Sequence, residues 1–275
     1  MAVPAYASGI ERVWHVMFLV LCGAVFLFLV APILAIVPLS FNSEPWFSYP
    51  LAGISLRWYH DFFASSRWQN AVINSVLVGT ATTGLATVLG TLAALGLSRA
   101  KLPLRGLIMS LLISPMIVPI VITSVAMYFF YALVDLANSY LGIILAHTAL
   151  ATPFVVITVT ATLSGFDHSL TRAAASLGAS PTLAFRKVML PLILPGVISG
   201  ALFAFVTSWD EVVVVLFLAG PEQRTLPLQM FDGIREEINP TITAVATLLL
   251  VLSIVLLVSV ELLRRRSARL RGIMD

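Results

Sequence analysis

Thr171-Arg172-Ala173-Ala174-Ala175-Ser176-Leu177-Gly178-Ala179-Ser180-Pro181, with Val188-Met189-Leu190-Pro191 nine residues beyond the glycine, is a compact, partly polar island in an otherwise strongly apolar chain. Asp167 is placed to cap a helix of about ten residues. Leu170, Ala174 and Leu177 fall on one face of it at i, i+4 and i+7. Gly178 stands where a left-handed C-terminal cap is expected. Ser180-Pro181 reads as an N-cap followed by proline at the first position of a second helix. The island therefore predicts two short helices meeting at an angle. On the residues alone two readings are open. One is an amphipathic connector resting on a membrane. The other is a helix kept thin by Ala173 and Ala174 that lies in a groove of another protein.

The chain around the island decides the fold class. It has 275 residues, 59% hydrophobic and only 11% charged, with a mean hydropathy of +1.01. Soluble domains carry about 25% charged residues, so the expectation is an all-α polytopic membrane protein. Cys22 is the single cysteine, which excludes an internal disulfide framework and a cysteine-based metal cluster. Six stretches have the length and composition of a spanning helix: about 14–37, 72–97, 106–131, 140–163, 196–219 and 242–263. The first is too long for a signal-peptide core and is read as a retained helix.

Basic residues set the orientation. Arg12, Arg99, Lys101, Arg105, Arg172, Arg186, Lys187 and the tail Arg264, Arg265, Arg266, Arg269 and Arg271 place 12 of the 16 Lys and Arg on one side. That side is expected to be cytoplasmic, with both termini on it. The same distribution argues against nucleic acid as a partner; membrane lipid headgroups are the expected contact of the basic tail. The chain divides into 1–69 (first span and outer loop), 70–263 (a five-span core with a short cytoplasmic helix at about 167–178) and the tail 264–275. Trp46, Tyr49, Trp58, Tyr59 and Trp68 of the outer loop suit an aromatic belt at headgroup level.

Within the spans, pairs of small residues such as Thr80/Gly84 and Ala86/Gly90 allow close approach of helix backbones. Pro115, Pro119 and Pro153 predict kinks, which membranes tolerate where a neighbour or a cavity satisfies the freed backbone. Asp210 and Glu211 fall inside the fifth predicted span. An ionisable residue there marks function by default, and no Lys or Arg falls inside any predicted span to pair with them. Successive helical residues point about 100° apart, so the two acids cannot share a narrow face. One is expected to line a path and the other to face a neighbouring subunit. Contact with a cationic solute, helped by the neighbouring aromatic Trp209, stands beside a gating or packing role. His147 is expected to be a packing histidine.

The island resembles the cytoplasmic docking loop of ABC-importer permeases: Glu-Ala-Ala, three residues, Gly, nine residues, Ile-x-Leu-Pro. Ala173, Ala174, Gly178, Leu190 and Pro191 match, Val188 replaces Ile, and Arg172 stands where Glu is usual. Ser40-Phe41-Asn42, Leu56-Arg57-Trp58-Tyr59, Asn74-Ser75, His147-Thr148, Gly165-Phe166-Asp167 and Ser208-Trp209-Asp210-Glu211-Val212 are similar to the spermidine/putrescine permease subfamily. The resemblance implies a type I permease fold in a bacterial inner membrane and an ATP-driven import function. It also implies Arg172, Ala173, Ala174, Leu177, Gly178 and Pro191 as ATPase-coupling residues, and Trp209, Asp210 and Glu211 as candidates for the substrate path. The implied partners are a second permease subunit, an ATPase dimer that holds ATP-Mg, and a solute-binding protein. Polyamines are the first expectation for the substrate; another small solute, such as an amino-acid derivative, iron or a phosphonate, is the alternative. A stand-alone proton-coupled transporter is the second class. The chain has no Gly-x-x-x-x-Gly-Lys-Ser/Thr phosphate loop, so ATP is not bound by that route. No catalytic constellation or metal-ligand spacing is present, and the expectation is not an enzyme.

Overall fold

The structure, a computed structural model, describes residues 8–98, 102–236 and 239–270. Arg99, Lys101, Glu237 and Arg271 lie outside the described residues, as do the side chains of the basic residues 264–269. Among the described residues the helices are α1 (Gly9–Leu39), α2 (Arg57–Ala64), α3 (Ser66–Leu97), α4 (Arg105–Ile113), α5 (Ile120–Leu133), α6 (Tyr140–Ser164), α7 (Ser169–Ser176), α8 (Pro181–Ala184), α9 (Leu190–Trp209), α10 (Val213–Leu218), α11 (Leu226–Glu236) and α12 (Thr241–Leu270). A 3₁₀ turn (Ser114–Met116) follows α4, and a π turn (Phe185–Met189) joins α8 to α9. Two compact units emerge: Ser66–Asp232, and Met1–Ser65 with Gly233–Asp275.

The larger unit is built on α3, α6 and α9, which pack against one another. Val155 of α6 is fully buried between glycines of both neighbours. A Cβ on Gly90 would lie 2.6 Å from the Val155 Cβ, and one on Gly200 would lie 3.0 Å from its Cα. Without a hydrophobic drive between helices in lipid, such backbone approach is what holds them together. The apolar interior falls into two clusters. One gathers Ile143, Ala146, Val214, Val215 and Leu218 with Tyr131. The other gathers Ala86, Ala151, Val155, Val159, Ile193 and Ala204. Of the predicted small-residue pairs, Ala86/Gly90 is buried in this packing, whereas Thr80/Gly84 faces outward.

Among the described residues four helices are long and apolar enough to cross a membrane: Gly9–Leu39, Ser66–Leu97, Tyr140–Ser164 and the continuous run Pro181–Trp209. The third predicted span, 106–131, is instead two helices, Arg105–Met116 and Ile120–Leu133, bent by 95°. Pro115 and Pro119 flank the bend; each lacks the N–H that would carry the ladder through it. Pro153 is accommodated within the unbroken α6. The fifth predicted span, 196–219, is displaced. The helix starts at Pro181, ends at Trp209, and α10 begins only at Val213.

In the smaller unit α12 packs along α1 and α2. Ser8 and Glu11 form a capping box that starts α1. The outer loop after α1 has its own polar core. Trp58, 2% exposed, donates its indole N–H to the Asn42 carbonyl at 2.6 Å, and Ser40 and Tyr59 share a hydroxyl hydrogen bond at 2.6 Å. Trp58 of α2 is therefore a buried anchor of the outer segment, its N–H used internally, whereas Trp46 and Tyr49 are exposed.

Candidate functional site

Two helix breaks meet at one cavity of about 400 Å³. One wall is the bent segment at residues 115–120. Leu150 and Phe154 of α6 form another, and Thr207 and Glu211 close it. Glu211 is not within a spanning helix, as the sequence suggests, but in the three-residue gap, 210–212, between α9 and α10. Its Oε1 accepts the Val214 N–H at 2.9 Å. That bond satisfies one of the free amides at the start of α10 and turns the chain there. Glu211 is half-buried and is the one ionisable residue of the cavity lining.

Asp210 is separated from it. It caps the end of α9 through its backbone N–H to the Val206 carbonyl and is exposed. Trp209 stacks on Phe205 at 5.5 Å between centroids and 24° between planes. Both rings lie over Gly79 of α3, and Trp209 is not part of the cavity lining. The three residues singled out in the sequence thus diverge, and only Glu211 reaches the cavity. No Lys or Arg pairs with Asp210 or Glu211 among the described residues. Sequence reasoning missed the apolar wall of the cavity. Its signal was present in Pro115 and Pro119, read only as kinks. It also missed the 2.8 Å hydrogen bond between His147 Nδ1 and Ser208 Oγ, which joins α6 to α9.

The second site is the island. α7 spans Ser169–Ser176 and ends in paired bonds, Ala179 N–H to the Ala174 carbonyl and Gly178 N–H to the Ala175 carbonyl. This is a Schellman cap with Gly178 at φ +84°. Asp167 stands one residue ahead of the position expected of it. It accepts the Ser169 hydroxyl at 2.6 Å and the Ser169 N–H at 2.8 Å. These bonds, the hydroxyl's foremost, hold its carboxyl below the usual range. Ser180 caps the next helix by accepting the Leu183 N–H, with Pro181 at the first position. That helix does not stop as a short element. Pro191 has no N–H for the Lys187 carbonyl, and the turn before it widens to a π turn that passes α8 into α9. A single helix of 29 residues, about 44 Å long at 1.5 Å per residue, therefore runs from the island to Trp209 beside the cavity. Arg172, Ala173 and Leu177 are exposed, Leu177 at 89%, and α7 buries none of its residues. Ala174 is half-exposed.

Residues 86–269 match the sequence family described as the binding-protein-dependent transport system inner membrane component. The spermidine/putrescine transport system permease protein PotC of Haemophilus influenzae is 33% identical over 88% of this chain and 94% of its own length. The putrescine transport system permease protein PotI of Escherichia coli K12 is 35% identical over 86% of this chain and 85% of its own. Among solved structures, a bacterial ABC transporter that imports the acidic polysaccharide alginate matches with a TM-score of 0.76, at 17% identity. It covers 94% of this chain and 98% of the matched one.

Proposed function

The chain belongs to the binding-protein-dependent transport system inner membrane component family, and from that premise we propose that it works as the membrane-spanning permease of an ATP-driven polyamine importer. It is a transport subunit and not an enzyme; ATP-Mg is expected in the partner ATPase. The observation that carries the reading is the position of Glu211, a carboxylate with no ion-pair partner among the described residues, in a cavity between two helix breaks. Broken helices at mid-depth, with an acid beside them, are how transporters build a site for a cation in lipid. The names of the similar permeases support spermidine and putrescine as the solutes.

The proposed topology has six spans. Four are the long helices, the bent pair of α4 and α5 is the third in order, and α12 is the last. The excess of basic residues supports both termini in the cytoplasm. The proposed partners are a second permease, an ATPase dimer and a solute-binding protein. The exposed α7 is the docking surface for the ATPase, and the rod from Pro181 to Trp209 carries its displacement to the cavity. Access then alternates as the cavity opens to one side or the other. The solute's ammonium groups would be held by Glu211.

The docking role is tested by co-purification. Gly178→Val forces a β-branched residue into the left-handed region, a strain of about 1–3 kcal/mol, and should undo the cap. The expected result is a membrane-inserted chain that no longer brings the ATPase with it. Retention of the ATPase at parental yield would contradict the docking role.

A further inference from the structure

Several buried polar side chains of the larger unit lie on its three central helices, α3, α6 and α9. Thr82, His147, Thr148 and Ser208 are all 5% exposed or less. His147 and Ser208 are joined across α6 and α9 at 2.8 Å. Ser208 is the last buried residue of α9, three residues before Glu211. Its neighbour Thr207 and the residue one turn along from His147, Leu150, are both walls of the cavity. The bond therefore joins α6 and α9 within one turn of residues that line the cavity.

The other ring nitrogen, Nε2, is buried and without a hydrogen-bond partner. An orphaned polar atom in a core is destabilising, and an aliphatic side chain of similar size would fill the space without it. Packing alone does not account for histidine here; the bond to Ser208 does. Beyond Ser208 only Trp209 and Asp210 separate the held end of α9 from Glu211, and Glu211 itself starts α10 through Val214.

We propose that His147 and Ser208 are positioning residues, a clamp that fixes the end of α9 so that Glu211 faces the cavity. The inference rests on the reading of Glu211 as the acid of the path. Without the clamp the last turn of α9 frays into the gap at residues 210–212, and the carboxylate loses its fixed direction.

The test uses the assembled complex in membrane vesicles. Cys22 is exposed and is the only cysteine of the chain, so Thr207→Cys in a Cys22→Ser background gives this chain one reporter thiol on the cavity wall, in the last turn of α9, with the Glu211–Val214 bond kept. Its rate of modification by a methanethiosulfonate ethylammonium reagent is measured. Ser208→Ala removes a single oxygen, and His147→Leu keeps the bulk. Each should change the rate about five-fold, the size expected for one lost buried hydrogen bond. The double variant should add nothing further. His147→Asn, which keeps an amide group near the position of Nδ1, should restore the parental rate. Equal rates in all variants would overturn the clamp, as would a response to His147→Leu without one to Ser208→Ala. In a Thr207 background, uptake assays should show a raised half-saturating polyamine concentration for Ser208→Ala with the maximal rate kept. If the parent takes up no polyamine while labelling still follows the clamp, the polyamine reading fails and the clamp stands.

Discussion

At the scale of single residues the central distinction is between two adjacent acids. Glu211 is half-buried and lines the cavity, whereas Asp210 is exposed at the end of α9. A charge-assisted hydrogen bond contributes about 1.5–3 kcal/mol, which corresponds to roughly ten-fold or more in half-saturation. Glu211→Gln should therefore weaken polyamine uptake by about that factor, and Asp210→Asn should leave it within about two-fold. Concentration-dependent uptake in vesicles measures both; equal losses would place both acids in the path. The sequence was sufficient to single out the pair, because acids inside an apolar run are costly. It was not sufficient to separate them. No glycine or proline marks residues 210–212, and the break depends on a tertiary arrangement, Glu211 turning back onto the Val214 amide. Arg172, the departure from the family pattern, is exposed on α7, so its positive charge would face the ATPase in the proposed complex.

At the scale of elements, the docking island was legible and its continuation was not. Gly178, Ser180 and Pro181 have the roles their residue types predict, since caps are local. The second short helix merges with a span because the π turn absorbs Pro191, a backbone adjustment that residue periodicity does not encode. The three-helix core rests on close contacts at Val155. Gly200→Leu would drive a side chain into the Val155 backbone, and overpacking of this kind costs about 1–3 kcal/mol. A lowered melting temperature of the detergent-solubilised complex is expected. A variant as stable as the parent would mean that α6 and α9 can separate without loss. The bend between α4 and α5 was foreshadowed by its prolines, but its 95° angle, which makes the cavity, was not.

At the scale of the whole molecule, composition alone points to a polytopic helical protein, and the distribution of basic residues predicts an orientation. A reporter that is active only outside the cytoplasm, fused after residue 275, should be silent; activity there would invert the topology. The sequence has no phosphate loop and α7 is exposed, so the proposed importer would draw its energy from a separate motor. A motor acting on α7 would reach the cavity through the helix from Pro181 to Trp209. The most direct measurement is uptake of labelled putrescine and spermidine into proteoliposomes holding the chain with its second permease and ATPase, with the solute-binding protein outside and ATP enclosed or omitted. Uptake that requires enclosed ATP and the binding protein, and that falls in Glu211→Gln, is the predicted result. Uptake by this chain alone without ATP would contradict the account.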